Sequence, residues 1–249
     1  MGRAIWKRFI PLAALAVVVA APVVFADVNA PWDELLEKVV SHARVDYAGV
    51  ARDRQSLSAY LIALREMDPS SLPKTAQLAF WINAYNACVF KGVLDHPGIK
   101  SVKEVKGFFD HLTYRVAGRD MTLNDIESAG RALGDWRIHF AVVCASASCP
   151  PIRPEAYNPE WLDAQLIEQV RTFMSNRKDG IRVEGSTLWV SPIFKWYAKD
   201  FIPDGKLTAD NLFSLLSSYL STDLVNAIQG KKLSLKFLNY DWSLNNLGG

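Results

Sequence analysis

Arg137-Ile138-His139-Phe140-Ala141-Val142-Val143-Cys144-Ala145-Ser146-Ala147-Ser148-Cys149-Pro150-Pro151-Ile152 is the stretch on which the reading of this chain turns. Laid out as a strand, Ile138, Phe140, Val142 and Cys144 point one way and His139, Ala141 and Val143 the other. Apart from His139 both faces are apolar, so Ile138–Cys144 is expected as a central strand covered on both sides. It runs into a loop of small residues, two serines and Cys149, stopped by two prolines. A buried strand that delivers a thiol and hydroxyls to a loop has the layout of an active-site edge. A disulfide corner has the same layout, and at this level both readings stand.

Cys149 is the expected nucleophile. A residue before proline is pushed out of the helical region, so Cys149 fits a capping position, with Pro150 opening a turn whose free amides point back at sulfur. Such amides lower a thiol pKa and form an oxyanion site. His139 is the nearest base in sequence, and Glu127 or an asparagine is the expected orienter of the pair. The bland reading pairs Cys144 with Cys149 in a disulfide and makes His139 a hydrogen-bonded core residue. Metal binding is weaker: His139, Cys144 and Cys149 lack a fourth ligand, and His42, His96 and His111 are scattered. Ser146 and Ser148 have no serine-hydrolase motif behind them, there is no phosphate-binding glycine loop, and no motif calls for a cofactor.

Working outward, Trp32, Leu35, Leu36, Val39 and Val40 mark an amphipathic helix entered through Pro31. Val45–Tyr47 reads as an extended link, and Leu57, Tyr60, Leu61 and Leu64 mark a second helix ending near Pro69. From Thr75 to Leu94 nearly every position is apolar, which predicts a buried helix. Asn83 and Asn86 share one of its faces. Each must find partners, either in neighbouring backbone or at a cleft where it orients a catalytic group or holds an oxyanion, with Trp81 and Ser148 as further binding residues. A hairpin spans Tyr114–Leu123, and Thr122 with Asp125 caps the helix carrying Ile126 and Glu127. Asn158 and Pro159 are expected to open a helix through Phe173. A hairpin follows about Gly185-Ser186, then a short aromatic helix, two more helices and a last strand at Leu233–Phe237. The expected class is α+β: one domain, helix-rich in its first half, with a small central mostly antiparallel sheet and a buried helix.

The chain opens with Arg3, Lys7 and Arg8 and no acid, followed by uninterrupted apolar sequence from Phe9 to Ala26. Val24 and Ala26 fit the small-residue pattern of a signal-peptidase site, so a leader cleaved after Ala26 is expected, with residues 27–249 as the domain. An uncleaved N-terminal anchor is the alternative. The destination is periplasmic or secreted, and with no cysteine after the cut a lipid anchor is not indicated. Of 28 Lys+Arg the leader holds three, which leaves 25 against 26 Asp+Glu. That balance excludes electrostatic binding to nucleic acid or to an acidic membrane surface. The three cysteines, an odd count, exclude a disulfide scaffold.

Four segments taken together resemble the family called domain of unknown function 547, DUF547: Phe80–Ala87, Leu123–Glu127, Ile138–Pro150, and Lys195-Trp196-Tyr197 with Asp200-Phe201. Tyr240-Asp241-Trp242 is similar to the family's closing segment. The resemblance covers about residues 45–245 and implies a single-domain, exported bacterial protein. It implies signature roles for Glu127, His139 and Cys149 and no assigned chemistry. The preferred expectation is therefore a cysteine-dependent hydrolase or transferase acting on an amide, ester or thioester of a small or peptide-like substrate. The alternative is a non-catalytic periplasmic binding or envelope-interaction protein with a structural Cys144–Cys149 bridge. Thiol redox exchange is disfavoured by the lack of C-x-x-C. Oligomeric state is not legible.

Overall fold

The structure, a computed structural model, describes residues 21–247. Most of the expected leader therefore lies outside the described residues. Helix α1 (Ala21–Val39) buries Trp32, Leu35, Leu36 and Val39, the apolar spacing read above. It runs on through Pro31 instead of beginning there, at the cost of the one amide bond that proline cannot donate. A tight ribbon of β1 (Val40–Ser41) and β2 (Arg44–Val45) turns through His42 and Ala43, both at positive φ. Helices α2 (Tyr47–Arg52) and α3 (Arg54–Glu66) follow, with Asp46 capping α2 through Gly49 N–H. Tyr60 of α3 stacks on Trp32, their ring centroids 5.6 Å apart.

Helix α4 (Lys74–Asp95) is the axis of the molecule, with every residue from Leu78 to Phe90 buried. Strands β3 (Thr113–Val116) and β4 (Arg119–Thr122) form the expected hairpin, and the Thr122–Asp125 capping box starts α5 (Leu123–Arg131). Gly130 lets α5 close on its neighbours: a Cβ there would come 2.6 Å from Ile138 Cδ1 and 3.2 Å from Trp81 Cβ. Helix α6 (Leu162–Ser175) begins later than Asn158-Pro159 suggests. Asn158 Oδ1 accepts from Glu160 N–H, so it shapes the turn before the helix and does not cap it.

The second half holds β5 (Ile181–Glu184), β6 (Thr187–Val190), α7 (Ile193–Trp196), α8 (Ala198–Phe201), α9 (Ala209–Leu216), α10 (Thr222–Ile228) and β7 (Ser234–Phe237). β5 pairs antiparallel and β7 parallel with β6. The class is α+β in a single domain, and the strands of the described residues are shared among three small sheets. One apolar core gathers about α1–α5 and a second about α6 and the β5–β6–β7 sheet. Among the described residues no helix is long and apolar enough to cross a membrane.

The central strand expected at Ile138–Cys144 does not form. Trp136–Phe140 is a 3-10 helix capped by Asp135, and Ala141–Cys144 continues as irregular chain. Its all-round apolarity reports burial between the two cores: Ile138, Ala141 and Val143 pack in the first, Phe140 in the second. The backbone bonds a strand neighbour would provide come from a side chain. Asn86 donates to Ala141 O at 3.0 Å and accepts from Val143 N–H at 2.8 Å.

Candidate active site

Loop 144–149 is folded back on itself. Ala145 takes φ 61°, uncommon for a residue with a Cβ, and Cys149 N–H closes a turn on Ser146 O at 3.1 Å. The reversal aims Cys144 N–H at Cys149 Sγ, 3.0 Å away. The C-terminal segment clamps the loop from outside. Ala147 N–H donates to Ser243 O, Asn245 N–H to Ala145 O, and Asp241 N–H to Ser148 Oγ. From this clamp Tyr240 reaches inward and its hydroxyl donates to Cys149 Sγ at 3.2 Å. Ser146 Oγ lies 3.4 Å from the sulfur and 2.9 Å from the Tyr240 oxygen, so its single proton serves either.

All three cysteines are free, so the Cys144–Cys149 disulfide of the alternative reading does not form. Burial pushes the Cys149 thiol up, but the surrounding donors outweigh it and lower its pKa to about 6. Cys144 moves the opposite way, raised by the adjacent Cys149 and by burial. The electrostatic environment expected of Cys149 is present, with a corrected source. The backbone donor is the amide five residues before it, because the positive-φ turn at Ala145 precedes the cysteine.

His139 is buried in the 3-10 helix, with Nε2 2.7 Å from Asp200 Oδ2. Asp200, in α8, is held in turn by Arg131 of α5, which donates from Nε at 2.7 Å and Nη2 at 3.1 Å. Tyr197 stacks on the imidazole at 4.0 Å between centroids. Burial lowers the His139 pKa to about 4 against the opposing pull of Asp200, so the ring is neutral near pH 7. With Nε2–H donated to Asp200, Nδ1 carries the lone pair, and that buried atom has no protein partner. Glu127 Oε1 is likewise buried and unpartnered. Burial raises the Glu127 pKa, opposed by Tyr197 and Arg131.

His139, Glu127, Cys144, Cys149, Tyr197 and Tyr240 all line one cavity of about 340 Å³, closed by Tyr85, Phe109, Trp196 and Trp242 among others. Three of the expected site residues thus share a cavity, but His139 takes Asp200 as its orienter and not Glu127. The other four lie elsewhere. Asn83 is occupied on both sides by Tyr157, donating to its O at 2.8 Å and accepting from its N–H at 2.9 Å. Asn86 ties down the chain entering Cys144, so neither amide is available to an oxyanion. Trp81 is wedged against Phe80 and Gly130. Ser148 is buried, donating to Asp179 Oδ1 at 2.6 Å. Among the described residues no group of three His, Cys, Asp or Glu could hold a metal ion.

Residues 69–174 match the family described as "Protein of unknown function, DUF547". The chain carries a DUF547 region. That region contains Glu127, His139 and Cys149, the residues to which the sequence resemblance attached signature roles. No curated protein and no solved structure matches the chain. Two groups that complete the site, Asp200 and Tyr240, lie beyond the matched DUF547 residues. Both fall in segments that resemble the family, but nothing in the sequence around them points to a role. Their only signal was a short motif, since 61 and 91 residues of chain separate them from His139 and Cys149.

Proposed function

We propose that this protein is a cysteine-dependent hydrolase or transferase that acts on an amide, ester or thioester through Cys149. One observation carries the reading. A sulfur with lowered pKa, held by the Cys144 amide and the Tyr240 hydroxyl, shares a cavity with a neutral histidine whose Nδ1 lone pair is unpartnered.

The lowered pKa of Cys149 favours its thiolate, which attacks the carbonyl carbon and forms the S–C bond. The carbon–heteroatom bond to the leaving group then breaks. Glu127, its pKa raised by burial, is the acid placed to protonate the departing atom. In the second half His139 Nδ1 takes the proton of water or another acceptor as it attacks the thioester, and Cys149 leaves as thiolate. Asp200 holds Nε2–H and stabilises the imidazolium formed. The proton passes from His139 to the Glu127 carboxylate through water, which resets both groups.

The leader-like segment Met1–Ala26 supports action outside the cytoplasm, in the periplasm or as a secreted protein. The non-catalytic alternative draws support from the buried Asn83 and Asn86 bonds, but its bridge has no counterpart in the free cysteines. Intact-mass spectrometry with a panel of acyl thioesters, activated esters and amides tests the proposal. Wild type should gain one acyl group on Cys149 and lose it with turnover, while Cys149→Ala gains none. A panel that leaves Cys149 unacylated throughout overturns it.

A further inference from the structure

One wall of the cavity is an aromatic rim. Trp196 and Tyr240 have ring centroids 4.8 Å apart, Tyr240 and Trp242 4.7 Å, and Trp196 and Trp242 5.8 Å. The rings incline to one another by 63°, 52° and 31°, so they present faces in several directions. Trp196 remains 47% exposed. A large aromatic left open at the mouth of a cavity marks a contact surface for a ligand. This rim already holds one ammonium group: Lys103 Nζ lies 4.1 Å from the Trp242 ring centroid.

The charge of the lining points the same way. Besides the tyrosines, its ionisable groups are Asp110, Glu127, His139, Cys144 and Cys149, and no lysine or arginine is among them. Arg131, the cation packed behind Tyr197, is committed to Asp200. Asp110 contacts His111 on the exposed rim. A ligand entering therefore meets the acidic side chain of Asp110, the sulfur of Cys149 and the negative faces of aromatic rings. Each of these attracts a cation and repels an anion.

We infer that the cavity takes an acyl compound bearing an ammonium group, with the cation against the Trp196–Tyr240–Trp242 rim and the acyl carbon at Cys149. The inference rests on the reading of Cys149 as nucleophile. Tyr240 sets the spacing, since its hydroxyl donates to the sulfur while its ring belongs to the rim. Cation and reacting carbonyl then lie at opposite ends of one phenol. An acyl compound bearing a carboxylate or phosphate would find no cation among the lining residues.

The experiment uses the full chain and methanethiosulfonate reagents that differ only in charge: trimethylammonium, neutral and sulfonate. Peptide mass mapping reads the rate at Cys149, and each rate is normalised to free cysteine. The normalised cationic-to-anionic ratio should exceed one by about tenfold or more. Tetramethylammonium should slow the neutral reagent, while the same concentration of sodium acetate does not. Trp196→Ala and Asp110→Asn should each lower the ratio. Trp242→Phe, which keeps an aromatic face, should retain it, and Lys103→Met should raise it. A readily modified Cys149 with a normalised ratio near one overturns the ammonium inference and leaves the nucleophile standing. A Cys149 that none of the reagents modifies in the folded protein overturns the nucleophile and the inference with it.

Discussion

His139 Nε2 and Asp200 Oδ2 lie 2.7 Å apart, although 61 residues of chain separate them. The contact decides which nitrogen of the imidazole carries the proton. It leaves Nδ1 as the basic atom and gives the developing imidazolium a fixed counter-charge. Arg131 braces the carboxylate from the other side and holds its pKa below the usual range.

Asp200→Asn should keep the fold and lose the orientation. Acyl turnover is expected to fall by about 10²–10⁴-fold. Because Asp200 pulls the His139 pKa up, its removal should drive that pKa below about 4, read from the imidazole proton resonances. The pH profile of Cys149 alkylation should be unchanged, which separates loss of the base from loss of the nucleophile.

The lowered thiol pKa predicts an iodoacetamide profile at Cys149 with its midpoint near about 6. A free cysteine titrates near ~8.5. Tyr240→Phe removes one donor and should raise the midpoint by about one unit, the worth of a hydrogen bond to a charged acceptor. A midpoint that stays put would show that Cys144 and Ser146 hold the thiolate without Tyr240.

Asn83→Ala and Asn86→Ala remove equivalent bonds from the same helix face. Each leaves a buried N–H and a buried C=O unpaired, so each should cost about 2–4 kcal/mol in denaturant unfolding. Only Asn86 steadies the chain entering Cys144. Asn86→Ala should therefore also raise the Cys149 alkylation midpoint, and Asn83→Ala should not.

His139 predicts a step in acid stability. Its folded pKa of about 4 lies below the unfolded value of about 6.5, so between these limits the unfolded chain binds the extra proton. Stability is full above about pH 6.5, declines as pH falls and has lost about 3 kcal/mol by about pH 4. Asp200, whose pKa is also lowered, acts only further down, as pH falls through the usual carboxylate range. His139→Gln should flatten the decline between about pH 6.5 and 4. Urea titrations across that window measure it.

Patterns of local origin were legible in the residues. The apolar run of α4, the Thr122–Asp125 capping box and the hairpins at Tyr114–Leu123 and about Gly185 all form as the spacing predicts. Each depends on contacts within a few positions of chain, which periodicity records directly. Ile138–Cys144 was misread because burial between two cores and burial inside a sheet leave the same apolar signature. Composition reports that a segment is covered. It does not report by what.

The site divides along the same line. The sequence by itself determined the chemistry available: one thiol before a proline, one histidine in an apolar run, one acid on a capped helix, all within residues 127–149. Only the tertiary structure decided how these are wired. Asp200 and not Glu127 orients His139, Tyr240 and the Cys144 amide hold the sulfur, and Asn83 and Asn86 serve the backbone. The physical reason is that an orienting bond needs two atoms within about 3 Å and places no limit on the chain between them. Such a pairing is settled by how α5, α8 and the C-terminal segment pack around loop 144–149, and no local spacing encodes it.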